Sequence, residues 1–365
     1  MVSALADVGA DVRVLTTSPP RSARRADDDP RVDVRRWPVL RNRSGYVRGY
    51  LPYLSFDLPL FFRVLFGRKA DVYVCEPPPT TGFLLRVAAQ LRRTPYVYYG
   101  ADIWSDASAA TGAPRIVLRV VRGLEQVALR GAHTVLVVSE GVRQRVTALA
   151  PDVPTSVVGH GVDLNTFAPD GPCVEEPVDI VYVGTASEWH GAGLAIEALS
   201  QVMGTDETVT AAFVGQGSEW DGLKRRVDEL GLQSRIRFLP TVAAEEAAAW
   251  LRTARVSLAT LAPGQGYDFA VPTKLYSSVA VGTPVAYAGP DPVRRLIIDE
   301  GLGAATHYEP AAYAQAIGSL LSETRGADED LVRWAGENIS SVAVAERAVQ
   351  TIVRVARPGS VQARK

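Results

Sequence analysis

The chain has 365 residues, with 39 Lys and Arg set against 40 Asp and Glu for a formal net charge of −1. That balance excludes a general electrostatic pull on nucleic acid, and 47% hydrophobic residues spread along this length suit a soluble globular protein with two substantial α/β domains. The two cysteines, Cys75 and Cys173, lie far apart and offer neither a disulfide framework nor a zinc site, which fits a reducing cytoplasm.

In chain order, residues 1–9 (M-V-S-A-L-A-D-V-G) read as a helix leading into a strand at 12–16. A doubly wound domain normally opens with a strand and a ligand-facing loop before that helix, so the first strand is expected to be missing. The natural protein is then expected to start about 20 to 40 residues upstream, the size of a strand–loop–helix start. Residues 51–66 (L-P-Y-L-S-F-D-L-P-L-F-F-R-V-L-F) form the most apolar run, broken by Pro52, Asp57, Pro59 and Arg63 and so too interrupted to cross a membrane. The run reads first as a core-packed helix, with the wall of an acceptor groove or a shallow membrane contact as the other readings. Strands at 72–75, 96–99 and 134–138 alternate with helical patterns at 82–93 and 116–130. The sequons at Asn42 and Asn338 carry little weight without an export signal, and none is recognisable.

Residues 170–177 form a Gly/Pro/acidic linker, after which the alternation resumes. Strands are expected at 180–183, 211–214, 235–239 and 256–261, with helices at 194–202, 220–230 and 243–252. Residues 330–355 read as a helical tail that could cross back to the first domain. Strand and helix alternating through two similar halves predict parallel α/β layers. Two of the second-half strands end in glycine, at Gly184 and at Gly215-Gln216-Gly217, which allows close approach of a ligand at the carboxyl edge of a parallel sheet. There is no G-x-G-x-x-G with a downstream acid and no Walker-type loop, so neither nicotinamide binding nor a P-loop is supported.

One stretch gathers these features: Y-D-F-A-V-P-T-K-L-Y-S-S-V-A-V-G-T-P-V-A-Y-A-G-P at 267–290. Pro272 suits a first helical position, Leu275 and Val279 share a face, Gly282 can end the helix in αL, and 285–287 read as a buried strand. Lys274 is the anomaly, a cation in the first turn where the helix dipole prefers an anion. Free N–H groups together with a lysine make a phosphate site; the alternative is a solvated lysine.

The second half resembles the nucleotide-sugar domain of retaining GT-B glycosyltransferases of family 4. The resemblance rests on H-G-V-D-L-N-T-F-A-P at 160–169, V-Y-V-G-T-A-S-E-W-H-G at 181–191, F-V-G-Q-G-S-E-W-D-G-L at 213–223, L-G-L-Q-S-R-I-R-F-L-P at 230–240 and P-T-K-L-Y-S-S-V-A-V-G-T-P-V at 272–285. A looser likeness covers Y-Y-G-A-D-I-W at 98–104 and V-V-S-E-G-V at 137–142, and the chain is similar to the branch that builds bacterial surface polysaccharides. The likeness implies two Rossmann-like domains facing a cleft: an acceptor domain over 1–170, to which 341–365 could cross back, and a nucleotide-sugar domain over 171–340. It implies a retaining glycosyltransferase, UDP favoured, moving sugar to an acceptor hydroxyl in polysaccharide, glycoconjugate or secondary-metabolite biosynthesis. It also implies a small-molecule or lipid-linked acceptor, a cytoplasmic or membrane-peripheral location, and neither cofactor nor metal.

Carried over residue by residue, the family pattern departs here at its charged positions. The arginine and lysine of G-R-L-x-x-x-K-G fall on Thr185 and His190, and the two acids of E-x(7)-E fall on Phe269 and Ser277. The diphosphate would then rest on Lys274 and the backbone N–H groups around Pro272, Thr273 and Leu275, with Gly184, Thr185, Ser187, His190, Gly215 and Gly217 around it. His190 could also carry charge if its pKa rises. Asp268 could orient a sugar hydroxyl or cap a turn, Ser278 could approach ribose or pack a helix, and His160 could touch donor near a hinge. Glu219 reads as structural. Asp102, after the 96–99 strand, could meet the acceptor hydroxyl or donor sugar, or cap a helix; with Lys274 it is the expected catalytic pair. The competing class is a degenerate nucleotide-sugar-binding protein.

Overall fold

The computed structural model describes residues 1–20, 28–41, 47, 50–110, 113–323 and 327–356. The chain divides into two compact units, residues 1–159 with 344–365 and residues 160–343. The sequon at Asn42 lies outside the described residues.

Unit 1 runs α1 (Val2–Asp7), β1 (Arg13–Thr17), β2 (Asp33–Trp37), α2 (Tyr50–Phe66), β3 (Tyr73–Cys75), α3 (Pro79–Arg92), β4 (Tyr96–Gly100), α4 (Trp104–Ala110), α5 (Arg115–Gly131), β5 (Thr134–Val137), α6 (Glu140–Leu149) and β6 (Thr155–Val157). Its strands form two sheets, a parallel β1–β2 pair and a parallel β3–β4–β5–β6 sheet, and no strand of the described residues joins β1 to β3. Both cysteines are free, Cys75 buried and Cys173 exposed.

Unit 2 runs β7 (Ile180–Thr185), α7 (Gly193–Thr205), β8 (Ala211–Gln216), α8 (Trp220–Glu229), β9 (Ile236–Leu239), α9 (Ala244–Thr253), β10 (Val256–Thr260), α10 (Thr273–Ala280), β11 (Val285–Ala288), α11 (Val293–Asp299), β12 (Gly303–Thr306), α12 (Pro310–Glu323) and α13 (Glu329–Asn338). Its six parallel strands take the order β12–β11–β10–β7–β8–β9, a doubly wound sheet whose direction of winding reverses between β7 and β10. Both faces are covered, which explains strands that are apolar throughout rather than alternating. Ile180, Tyr182, Ala211 and Phe213 turn to one core, with Ile196, Leu199 and Met203 of α7. Val181, Ala212 and Val214 turn to the other, with Ala248 and Leu251 of α9.

The division falls before His160 rather than at 170. Val162 donates its amide to Ile339 and accepts from Ser341, and Phe167 packs on the second unit's core, so residues 160–169 are tied to that unit. Beyond α13, helix α14 (Ser341–Ala356) sends Val344, Ala348, Val349, Ile352 and Val355 into the first unit's core beside Val97 and Leu136.

The expectation that 51–66 is a core-packed helix is corrected. Asp57, Leu60 and Val64 are buried, but Leu51, Leu54, Leu58, Phe62 and Phe66 are exposed. One stripe of α2 packs inward while an equally apolar stripe faces out. No helix among the described residues is long and apolar enough to cross a membrane.

Candidate functional site

The carboxyl ends of β7 and β8 are adjacent, with Gly184 paired to Gly215 and Thr185 to Gln216. The backbone turns sharply there: φ is +117° at Gly184, +146° at Gly215 and +155° at Gly217. A Cβ on Gly215 would overlap the Gly184 carbonyl, and one on Gly217 would overlap the backbone of Ala186. Close strand-end packing therefore requires these two glycines.

Helix α10 delivers Lys274 to this edge. Its Nζ stands 3.5 Å from the centroid of the Tyr182 ring and donates to the Thr185 carbonyl at 3.1 Å. A Cβ on Gly184 would lie 3.6 Å from its Cε, so the lysine stem passes over that glycine. The residue as a whole keeps part of its surface in solvent, yet its ammonium end is enclosed by ring and backbone, and burial holds its pKa well below the ordinary lysine range. Among the described residues no carboxylate pairs with it. A cation held by a π face and a carbonyl keeps a charge that can attract an anion.

The amides around it divide unevenly. Thr273 and Lys274 open α10, whose first N–H groups have no intrahelical acceptor. Leu275 is different: its side chain is fully buried and its amide donates to the Pro272 carbonyl at 3.0 Å. Pro272 is buried and, as an imino acid, has no N–H to offer. The expected cradle over 272–275 thus narrows to Thr273 and Lys274.

Two further expectations are corrected. Ser278 is wholly buried and donates to Ser257 Oγ at 2.7 Å or the Lys274 carbonyl at 2.9 Å, so it ties α10 to β10 and is closed to ribose. His190 does not gain charge. It is buried, its Nδ1 accepts the Ser187 amide at 3.1 Å, and burial together with nearby Lys274 pushes its pKa down to about 3. A neutral imidazole shapes the 187–190 turn, its ring stacked on Trp189 at 3.6 Å. Thr185 is exposed and Ser187 half-buried at the same strand end.

Asp268 accepts the Gly264 amide with both oxygens, at 2.9 and 3.1 Å, and so closes the turn over 264–268. His160 lies 5.8 Å from the Tyr276 ring of α10, in a tilted stack. Asp102 lies in the first unit, exposed after β4. The helix cap beside it is made by Glu125, whose buried carboxylate accepts the amides of Trp104 at 2.7 Å and Ser105 at 3.1 Å. That leaves the Asp102 carboxylate outside the capping role.

Glu219 has a structural role, and the structure adds to it. Its amide donates to the Ala186 carbonyl at 3.1 Å, and its carboxylate is hydrogen-bonded to the Ala192 amide, while Oε2 is buried without a partner. Desolvation raises its pKa. An acceptor oxygen left unsatisfied beside glycine-ended strands suits a ligand hydroxyl. Its place after Gly217, at the start of α8, is the only sequence signal for it.

Two family models cover most of the chain: a glycosyl transferase 4-like domain over residues 1–161 and the glycosyl transferases group 1 domain over 177–323. The chain is a group 1 glycosyltransferase of the GT-B fold. Solved structures similar to this glycosyltransferase include sucrose-phosphate synthase from Thermosynechococcus elongatus, with a TM-score of 0.74 and 17% identity over 97% of this chain and 91% of that one. Anabaena HepE in complex with UDP has a TM-score of 0.69 and 16% identity over 94% of this chain and 100% of that one. WaaG, a glycosyltransferase of lipopolysaccharide biosynthesis, has a TM-score of 0.65 and 15% identity over 96% and 93%. At these identities the likeness establishes the shared fold. No curated protein sequence matches the glycosyltransferase significantly.

Proposed function

We propose that this glycosyltransferase takes a nucleoside diphosphate sugar, with uridine as the base, at the carboxyl edge of β7 and β8 and the start of α10. It then transfers the sugar, with retention of configuration, to an acceptor hydroxyl. The observation that carries the reading is Lys274, an ammonium with no acidic partner, held at the first turn of α10 beside Gly184 and Thr185. Its charge and the Thr273 and Lys274 amides are placed to stabilise the negative charge that develops on a departing diphosphate. The complexes of Anabaena HepE with UDP and with UDP-glucose support this choice of donor. In this reading Glu219 accepts a donor hydroxyl, Asp102 serves the acceptor side, and the acceptor is a glycan or a metabolite bearing a free hydroxyl. Lipopolysaccharide biosynthesis is the process named for WaaG.

A second reading, a nucleotide-sugar-binding protein without turnover, is favoured by the uncharged Thr185 and neutral His190 and by Phe269 and Ser277, where the resemblance leads one to expect charge. Calorimetric titration with UDP, followed by an assay of UDP release from UDP-sugars, separates the two. Saturable binding with turnover is expected; binding without turnover supports the second reading, and no UDP binding overturns both.

A further inference from the structure

Helices α2, α3 and α5 lie side by side in the first unit, α3 packing on both others. Every exposed residue of α2 whose side chain is described is apolar: Leu51, Leu54, Leu58, Phe62 and Phe66, the last 78% exposed. At 100° per residue these five fall within an arc of about 120°, a single stripe along the helix. The rings of Phe62 and Phe66 stack on one another at 6.2 Å within it. Solvent-facing stripes of soluble helices are normally charged, and exposed apolar area of this extent marks a contact surface. Leu91 on α3 and Ile116, Val120 and Val127 on α5 are exposed as well.

Charge identifies what covers the surface. The only acids on the three helices are Asp57 and Glu125, and both are buried. Asp57 is hydrogen-bonded to Thr81 at 2.5 Å, and Glu125 caps α4. All other charged groups on these helices are arginines, and Arg115, Arg119 and Arg122 stand exposed on α5 along its aliphatic strip. In a chain of net charge −1, this face has aliphatic and aromatic side chains edged by unopposed guanidinium groups. We propose that α2 and α5 form a docking surface for an anionic lipid bilayer. The α2 stripe would enter the acyl–headgroup boundary and the α5 arginines would meet the anionic headgroups, as an interfacial rather than a spanning element. A protein partner or a second copy would match the apolar stripe equally, but a self-complementary contact would face these arginines with one another.

The test is co-sedimentation of the full chain with vesicles of phosphatidylcholine alone and of phosphatidylcholine with phosphatidylglycerol. Partitioning onto the phosphatidylglycerol vesicles is expected to be at least tenfold stronger and to weaken as salt is raised. Phe62→Ser/Phe66→Ser and, separately, Arg119→Gln/Arg122→Gln are each expected to reduce it at least fivefold, with the melting temperature unchanged because these side chains are exposed. Absence of binding by the wild-type chain, or binding that neither pair of substitutions alters, would overturn the proposal. So would a dimer in sedimentation velocity that Phe62→Ser/Phe66→Ser dissolves while the wild type ignores vesicles.

Discussion

Gly217→Ala is expected to cost the second unit about 3 kcal/mol or more of stability. Two penalties add: φ at this position is +155°, which L side chains rarely adopt, and the new Cβ would overlap the Ala186 backbone. The overlap is with main chain, so no side-chain rotation relieves it. Ala186 is itself fixed, its amide donating to Gln216 at 2.9 Å and its carbonyl accepting from Glu219 at 3.1 Å. In a thermal melt the loss should appear as a fall of about 6–12 °C in the unit's midpoint. Gly222→Ala, at an open site on α8, serves as the control and should leave the midpoint within about 2 °C or raise it slightly. An unchanged midpoint in Gly217→Ala would mean that the turn joining β8 to α8 is not built as described.

Lys274→Ala is expected to leave stability nearly intact and to weaken UDP binding by about 1–3 kcal/mol, roughly 5- to 150-fold in affinity. The loss reflects one charge-assisted contact withdrawn from an otherwise amide-lined site. A pH signature should accompany it. Burial depresses the lysine's pKa in the free protein, and a bound diphosphate favours the charged form, so binding takes up a proton. Affinity should therefore be greatest below the free-state pKa and decline as pH rises through it, and Lys274→Ala should remove that dependence. Calorimetry in buffers of differing ionisation enthalpy reads both effects; equal affinities for wild type and variant would leave Lys274 with only its contacts to Tyr182 and Thr185.

Much of the second unit was legible in the sequence because its strands are apolar on both faces and end in glycine. Runs such as I-V-Y-V-G and A-A-F-V-G combine β-branched or aromatic residues with a terminator, so both the strand and its ligand-facing end are visible. Weak or charged strands leave less trace in the sequence. In β2 (D-V-R-R-W) and β12 (G-A-A-T) little marks a strand locally; among the described residues β2 pairs with β1 alone and is tied to it by the Arg13–Asp33 ion pair at 2.7 Å. The side-chain roles that failed share one cause, since residue type does not disclose which way a helix turns. Ser278 looks like a ligand hydroxyl until α10 is packed on β10. The 51–66 run looks like core until only half of its apolar residues find cover. His190 shows a related limit, because burial and a neighbouring cation from a distant segment set its charge.

Hydrogen exchange of the full chain with and without saturating UDP tests most directly that the donor site lies at the β7–β8 edge and the start of α10. Slowed exchange is expected in the strand ends and turns over 184–191 and 215–219 and in the first turn of α10 over 273–276, because binding stabilises these segments against local opening. Unchanged exchange in all three segments at saturating UDP, or protection confined to the first unit, would contradict it.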